Sequence, residues 1–403
     1  MKATYSPTST AKERFNNPLS EFSEFEFTPL NRVVAGPGAL DRLGILAKEL
    51  GAKRVLLVTD PGLEKAGHPQ KAQAVLEKEN LQVFVFDGVE ENPQEHHVEL
   101  GVEKARAAGI DTLVALGGGS SMDCAKGINF LLTNGGKMAD YRGIGLAKKP
   151  MLPSLGIPTT AGTGSEAQSF ALITDSITHL KMACGDKKAA FRICILDPEL
   201  TVSQPAKVTA ATGIDAMAHA IESHVTLKRN PLSQAFSHRA WQLLVSHFPK
   251  VLENPGSITA REGMQTGAHF AGHAIENSML GICHSCANPL TAHYGIPHGV
   301  AIGILLPWVI RYNQETVGNL YQDLALEAGM KDSAMSGGEF LAQTMEQFQR
   351  ASGLPGNLNE CKVAPGILNV LAEEASQQWT AQFNPRPADQ KDLLKIYQAA
   401  MGR

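Results

Sequence analysis

The first half of the chain alternates short β-branched runs with helical stretches, and after about Leu200 the alternation stops. Arg54-Val-Leu-Leu-Val-Thr ends at Asp60-Pro-Gly, and Leu81-Gln-Val-Phe-Val-Phe ends at Asp87-Gly. Thr112-Leu-Val-Ala-Leu ends at Gly117, and Met151-Leu-Pro-Ser-Leu-Gly-Ile ends at Pro158. Between these runs, 70–80 and 95–108 have helical patterning. Strands separated by helices are βαβ units, so the pattern predicts a mostly parallel, Rossmann-like sheet. From Ala206 onward there are long helical stretches, clearest at 230–247, 260–286, 317–328 and 337–352, and no convincing strand. The expected architecture is an α/β unit followed by an all-α unit. With 403 residues two cores are the default. The boundary is placed at Pro205, with Ser203-Gln-Pro as the helix start signal. This gives a polar N-terminal extension at 1–26, an α/β domain at 27–204 and a helical domain at 205–403.

Composition narrows the partners. A formal net charge of −4 gives no reason to expect nucleic acid or an anionic membrane surface. The longest apolar run, from Val300 to Ile310, is half a membrane span and contains Pro307. The N-terminus lacks a basic segment followed by an apolar one, so a secretory leader is not expected. Six scattered cysteines in so long a chain are no disulfide framework, and a reducing cytoplasm is the simpler inference. Cys283-His284-Ser285-Cys286 has a zinc-pair spacing. A closed zinc site wants a second such pair, and none exists, so both cysteines are read as small buried helix residues.

Two loops suit a nucleotide. Gly117-Gly-Gly-Ser-Ser-Met-Asp follows a strand and opens a helix. Glycines there let the backbone approach a diphosphate, and a helix N-terminus offers unpaired N–H groups. The bland alternative is a tight turn capped by Ser120 or Ser121. Pro158-Thr-Thr-Ala-Gly-Thr-Gly-Ser-Glu is a second small-residue loop after a strand. Both should emerge at the carboxyl edge of one sheet, where ligands bind. Asp60 ends a strand as well. Its carboxylate can accept from ribose hydroxyls and repel a 2′-phosphate, which favours NAD over NADP; it can equally cap the helix that Pro61 begins.

A metal set lies further along. Asp215 and His219 are four residues apart, on one helical face. His284 and His298 are fourteen apart and cannot share a straight helix, which would separate them by about 21 Å. Pro289, Gly295 and Pro297 supply breaks that let the chain fold back. Oxygen and imidazole ligands without thiolate suit Fe(II), Zn, Mn or Ni. Such an ion lowers the pKa of an alcohol, and the resulting alkoxide releases hydride to a nicotinamide.

Taken together these stretches, with Val58-Thr-Asp-Pro-Gly-Leu, Asp197-Pro-Glu-Leu-Thr, Gly213-Ile-Asp-Ala-Met-Ala-His-Ala-Ile-Glu and Pro297-His-Gly-Val-Ala, resemble the iron-containing (group III) alcohol dehydrogenase family from about Phe27 to the C-terminus. The resemblance implies a dehydroquinate synthase-like architecture: an α/β nucleotide domain, a helical metal domain and a cleft between them. It implies that Asp215, His219, His284 and His298 hold the metal, Fe(II) foremost with Zn as the other choice. It implies that Asp60, Asn92, Gly118, Gly119, Ser120, Thr159, Thr160, Ser165, Lys181 and Leu200 line the cofactor, with Asp123 steadying the glycine loop or touching the nucleotide. A homodimer is the family-based expectation. One departure stands out. Many members resemble His-x-x-x-His-Pro-Leu around the third ligand, whereas this chain has His284-Ser-Cys-Ala-Asn288-Pro-Leu. Asn cannot titrate near neutral pH, so proton relay at this position is lost, and His293 is the substitute candidate.

The expected function is hydride transfer between NAD and a small alcohol or diol, giving the aldehyde or ketone. Two rivals are a non-redox NAD-using lyase resembling dehydroquinate synthase, and a catalytically silent metal- and NAD-binding assembly protein. The lyase would need a basic phosphate cluster, for which Lys207, Lys228 and Arg229 are too sparse.

Overall fold

In the computed structural model, which describes residues 25–176, 181–331 and 334–402, six strands form one parallel sheet. The strands are β1 (Arg32–Ala35), β2 (Arg54–Val58), β3 (Gln82–Phe86), β4 (Thr112–Gly117), β6 (Ser154–Pro158) and β9 (Ile193–Leu196), ordered β1-β9-β6-β4-β2-β3. Residues 1–24, most of the expected polar extension, lie outside the description. The remaining strands, β5 (Gly143–Ile144), β7 (Phe170–Thr174) and β8 (Lys181–Gly185), make a small second sheet in which β7 and β8 run antiparallel. Composition hid this sheet. Lys181-Met-Ala-Cys-Gly has one β-favouring residue at most and no alternation.

Helices flank both faces of the large sheet, because alternate strand residues point to opposite sides. Leu56, Val58, Leu113 and Ala115 pack on one core with α4 (Glu95–Ala108) and α5 (Gly119–Asn134). Val55, Leu57, Val114 and Leu116 pack on the other with α1 (Leu43–Glu49) and α3 (His68–Lys78). The short α2 (Pro61–Ala66) precedes α3. Burial on both faces is why these strands read as unbroken apolar runs.

After Leu196 the described chain is helical, in α6 (Ala206–Val225), α7 (Pro231–Glu253), α8 (Ile258–Glu276), α9 (Ile282–Tyr294), α10 (His298–Glu327), α11 (Gly337–Ala351), α12 (Leu368–Ser376) and α13 (Gln390–Ala400). These helices share a third core holding Trp241, Phe248, Tyr321 and Tyr397. No helix among the described residues is long and apolar enough to cross a membrane.

Three local expectations are corrected. The stretch 260–286 is two helices, not one. Asn277 and Ser278 turn their side chains back onto the carbonyls of His273 and Ala274 and end α8. Pro205 stands at the N-cap of α6, but Ser203 does not cap it; its hydroxyl pairs with His68 and Leu200 instead. The stretch 317–328 is the end of α10, set off by a kink at Val317 (φ −125°).

Candidate active site

The carboxyl ends of β2, β4 and β6 open onto a cleft of about 1340 Å³ between the sheet and the helices. The chain runs from β2 to β3 on one side and from β4 onward to β6 on the other, so the cleft sits at the switch point between β2 and β4. Asp60 caps α2, accepting from the amides of Gly62 at 2.9 Å and Leu63 at 3.2 Å, while Ser121 donates to its other oxygen at 3.4 Å. The cap is therefore real, and the carboxylate still lines the cleft. Gly118, not a serine, stands at the N-cap of α5, and no side chain caps that helix end by a hydrogen bond. Gly117 before it has φ 155°, and a Cβ there would meet Ser121 Oγ at 2.3 Å. The turn thus demands glycine, and the first amides of α5 are left for a ligand.

The other expected cofactor residues separate into two groups. Gly119, Ser120, Asp123, Thr159, Thr160 and Ser165 line the cleft, as do Lys181 and Asn92, the latter in the left-handed region at φ 53°. Leu200 does not. It is 2 % exposed and packs in the α1–α3 core, because the turn after Asp197 rolls its side chain inward. Beneath the loops is a contact network absent from the sequence reading. Lys126 Nζ donates to Ser165 O (2.7 Å), Ser165 Oγ (2.9 Å) and Phe170 O (2.7 Å), and Ser165 Oγ donates to Asp123 at 2.6 Å.

The helical part brings the metal set together at the same cleft. Asp215, His219 and Glu222 share one face of α6, at i, i+4 and i+7. His284 lies in the first turn of α9 and His298 opens α10. The chain reverses at Gly295, in the left-handed region, and at Pro297; Pro289 lies inside α9 and breaks nothing. Gly299 permits the last approach, since a Cβ there would stand 2.1 Å from Ala211 O on α6. His219 Nε2 and His284 Nε2 lie 3.4 Å from Asp215 Oδ1, and His298 Nε2 lies 3.8 Å away. The ligand atoms of Asp215, His284 and His298 all fall within 4.8 Å of one another.

These distances fit an ion rather than hydrogen bonds. Two ligand atoms each about 2.1 Å from one ion stand about 3.4 Å apart at a tetrahedral angle. Asp215 Oδ1 and His284 Nε2 are buried and have no hydrogen-bond partner, which is costly unless something else satisfies them. Glu222 completes the arrangement. It accepts from His284 Nδ1 at 2.5 Å and from the Cys283 amide at 2.8 Å, which leaves the His284 Nε2 lone pair facing the centre. Burial opposes charge on His284, yet the Glu222 and Asp215 carboxylates outweigh it and lift the imidazole to about 9, so an arriving cation takes the place of the Nε2 proton. Burial pushes His298 down to about 3. Burial would raise Asp215, but His219 and its neighbours hold it well below the usual carboxylate range.

The two remaining sequence candidates behave differently. Asn288 lines the cleft and donates to Gln378 at 3.1 Å. His293 is not brought to it; its ring pairs with Glu374 at 2.9 Å on the outer face of α9. Cys283 and Cys286 are buried free thiols, and burial pushes Cys286 up to about 12.

Comparison with known proteins agrees with this geometry. The model of the iron-containing alcohol dehydrogenases matches residues 30–198, and that of the C-terminal part of the same family matches 209–401. The NAD-dependent methanol dehydrogenase of Bacillus methanolicus is 35% identical over 371 residues, 91% of this chain and 97% of that protein. The chain belongs to the iron-containing alcohol dehydrogenase family. The crystal structure of a 1,3-propanediol oxidoreductase superposes with a TM-score of 0.91 at 32% identity, covering 94% of this chain and 100% of that one. Sulfoacetaldehyde reductase from Bifidobacterium kashiwanohense, solved with NAD+, gives 0.85 at 27% identity, covering 94% and 99%. As an iron-containing alcohol dehydrogenase the protein is an oxidoreductase, with iron as the metal of its family and NAD the cofactor of relatives so described.

Two residues of this dehydrogenase escaped the sequence reading. Glu222 was visible in principle, seven residues after Asp215 on the same helical face. Lys126 was not, because a helical lysine ordinarily faces water. Glu222→Gln is expected to weaken iron affinity about 10- to 100-fold, as read by competition with a chromogenic chelator. Unchanged affinity would remove Glu222 from the site.

Proposed function

We propose that this protein moves hydride between NAD and a small alcohol or diol, with Fe(II), or Zn in its place, held by Asp215, His219, His284 and His298. What carries the reading is convergence. Three imidazoles approach one carboxylate oxygen inside the cleft onto which the glycine loop opens. When bound, the ion supplies a Lewis acid that lowers the pKa of the alcohol hydroxyl.

The chain's own residues do the rest. The free amides at Gly119 and Ser120 take the cofactor diphosphate. Asp60 takes the ribose with the oxygen not committed to its cap. Thr159, Thr160, Ser165, Asn92, Lys181 and Asp123 wall the cofactor on the way to the ligand cluster. Asn288 holds no titrating proton, so the alcohol proton leaves by another route, and His293 is turned away from the cleft. The same reading takes 27–204 and 205–403 as two domains; the cores support it, being divided at Pro205 except for Ala161, which packs in the helical one.

Stripping the metal with a chelator is expected to abolish NADH formation from short alcohols, and added Fe(II) or Zn to restore it. Full turnover by metal-free protein would refute the ligand assignment. NAD binding without turnover on a broad panel of metal-loaded assays would favour a silent binding protein.

A further inference from the structure

Asn288 follows His284 by four residues on α9, so the two share a helix face and both line the cleft. Asn288 Nδ2 donates to Gln378 Oε1 at 3.1 Å. This leaves one carbonyl oxygen, on Asn288, and one amide nitrogen, on Gln378. Reversing both amides leaves the same inventory on the opposite partners. A hydroxyl is the simplest group that both donates and accepts, and so can satisfy the two together.

Behind the pair lies a side cavity of about 190 Å³, sharing Glu91, Asn92, Lys181, Asn288 and Gln378 with the main cleft. Gln94, Thr174 and Thr291 complete a polar wall, and the Thr174 hydroxyl is buried without a partner. An alkyl group entering there would strand these polar atoms. One ammonium and one carboxylate leave the cavity with no formal charge, so it does not select an anion. Part of the main cleft's wall is apolar, with the Phe170 and Trp379 rings stacked at 5.8 Å and Met279 and Leu280 on the same lining. Carbon chain against the rings and a neutral polar end in the side cavity describe a bifunctional substrate.

We infer that Asn288 and Gln378 recognise a second hydroxyl on the substrate, so that this site favours diols and hydroxyaldehydes over simple alcohols. The inference rests on the dehydrogenase reading above. It is tested by the ratio of kcat/KM for 1,3-propanediol to that for 1-propanol, substrates that differ by one hydroxyl. Wild-type protein is expected to favour the diol by about tenfold, the worth of one to two neutral hydrogen bonds. Gln378→Met and Asn288→Leu are each expected to bring the ratio close to one, through the diol KM. A second readout is the diol dissociation constant of the metal-loaded NADH complex, followed by nicotinamide fluorescence; it should weaken in the same variants. If the wild type shows no preference, or the variants keep it, the pair is overturned and the dehydrogenase reading stands. If neither alcohol yields NADH, the dehydrogenase reading falls and takes the inference with it.

Discussion

Asp215→Asn is expected to empty the metal site and to reduce NADH formation by more than about a hundredfold. Losing a ligand's hydrogen-bond partner costs about 10- to 100-fold, and losing the carboxylate oxygen on which all three imidazoles converge costs more. The substitution keeps the side chain's shape. It removes the single anionic ligand, leaving a divalent ion among three neutral imidazoles in a buried site where Asp215 is 5 % exposed. Metal content of the purified variant, measured directly, checks the claim independently of turnover. His293→Ala serves as the control and should keep full metal content and rate, because that ring pairs with Glu374 outside the cleft. Stoichiometric iron and undiminished activity in Asp215→Asn would end the assignment.

The contrast between Asp215 and His293 shows what a sequence makes legible. Asp215, His219 and the overlooked Glu222 are fixed relative to one another by helical periodicity alone. His284 and His298 needed a chain reversal, and Gly295-Ile-Pro297 announces one. The close approach of α10 to α6 was not legible, because a glycine after His298 does not by itself say which backbone it lets in. His293 failed as a relay because, nine residues after His284 and five after Asn288, its helical position points away from the face those two share. Leu200 failed because an apolar residue after a turn carries no sign of which way it rolls. The parallel sheet was legible from buried apolar runs, whereas the small β5–β8–β7 sheet was not, since Lys181–Gly185 carries little β-preference and β5 is two residues long.

Lys126→Met is expected to lower the free energy of unfolding by about 3–5 kcal/mol, the usual cost of breaking a buried charged pair from one side. Lys126 is 1 % exposed, with a hydrophobic stem of the same length as methionine's, so packing loss is small. Burial pushes the Lys126 ammonium down and the Asp123 carboxyl up, each toward its neutral form. The three oxygens around Nζ nevertheless match the three donors of a charged ammonium, so we take the pair as ionised through Ser165. Methionine would remove the cation 3.8 Å from Asp123 and withdraw one donor each from the carbonyls of Ser165 and Phe170, although the Gln168 amide still donates to Ser165 O. Ser165 and Asp123 both line the cofactor cleft, so NAD affinity should fall along with stability. Denaturant unfolding measures the first effect and NADH fluorescence titration the second. Adding Asp123→Asn should return part of the lost stability, because the stranded charge is then gone, and this coupling separates a network effect from a simple packing defect. A loss below about 1 kcal/mol, or strict additivity of the two substitutions, would show that Lys126 is held by its surroundings without holding them in turn.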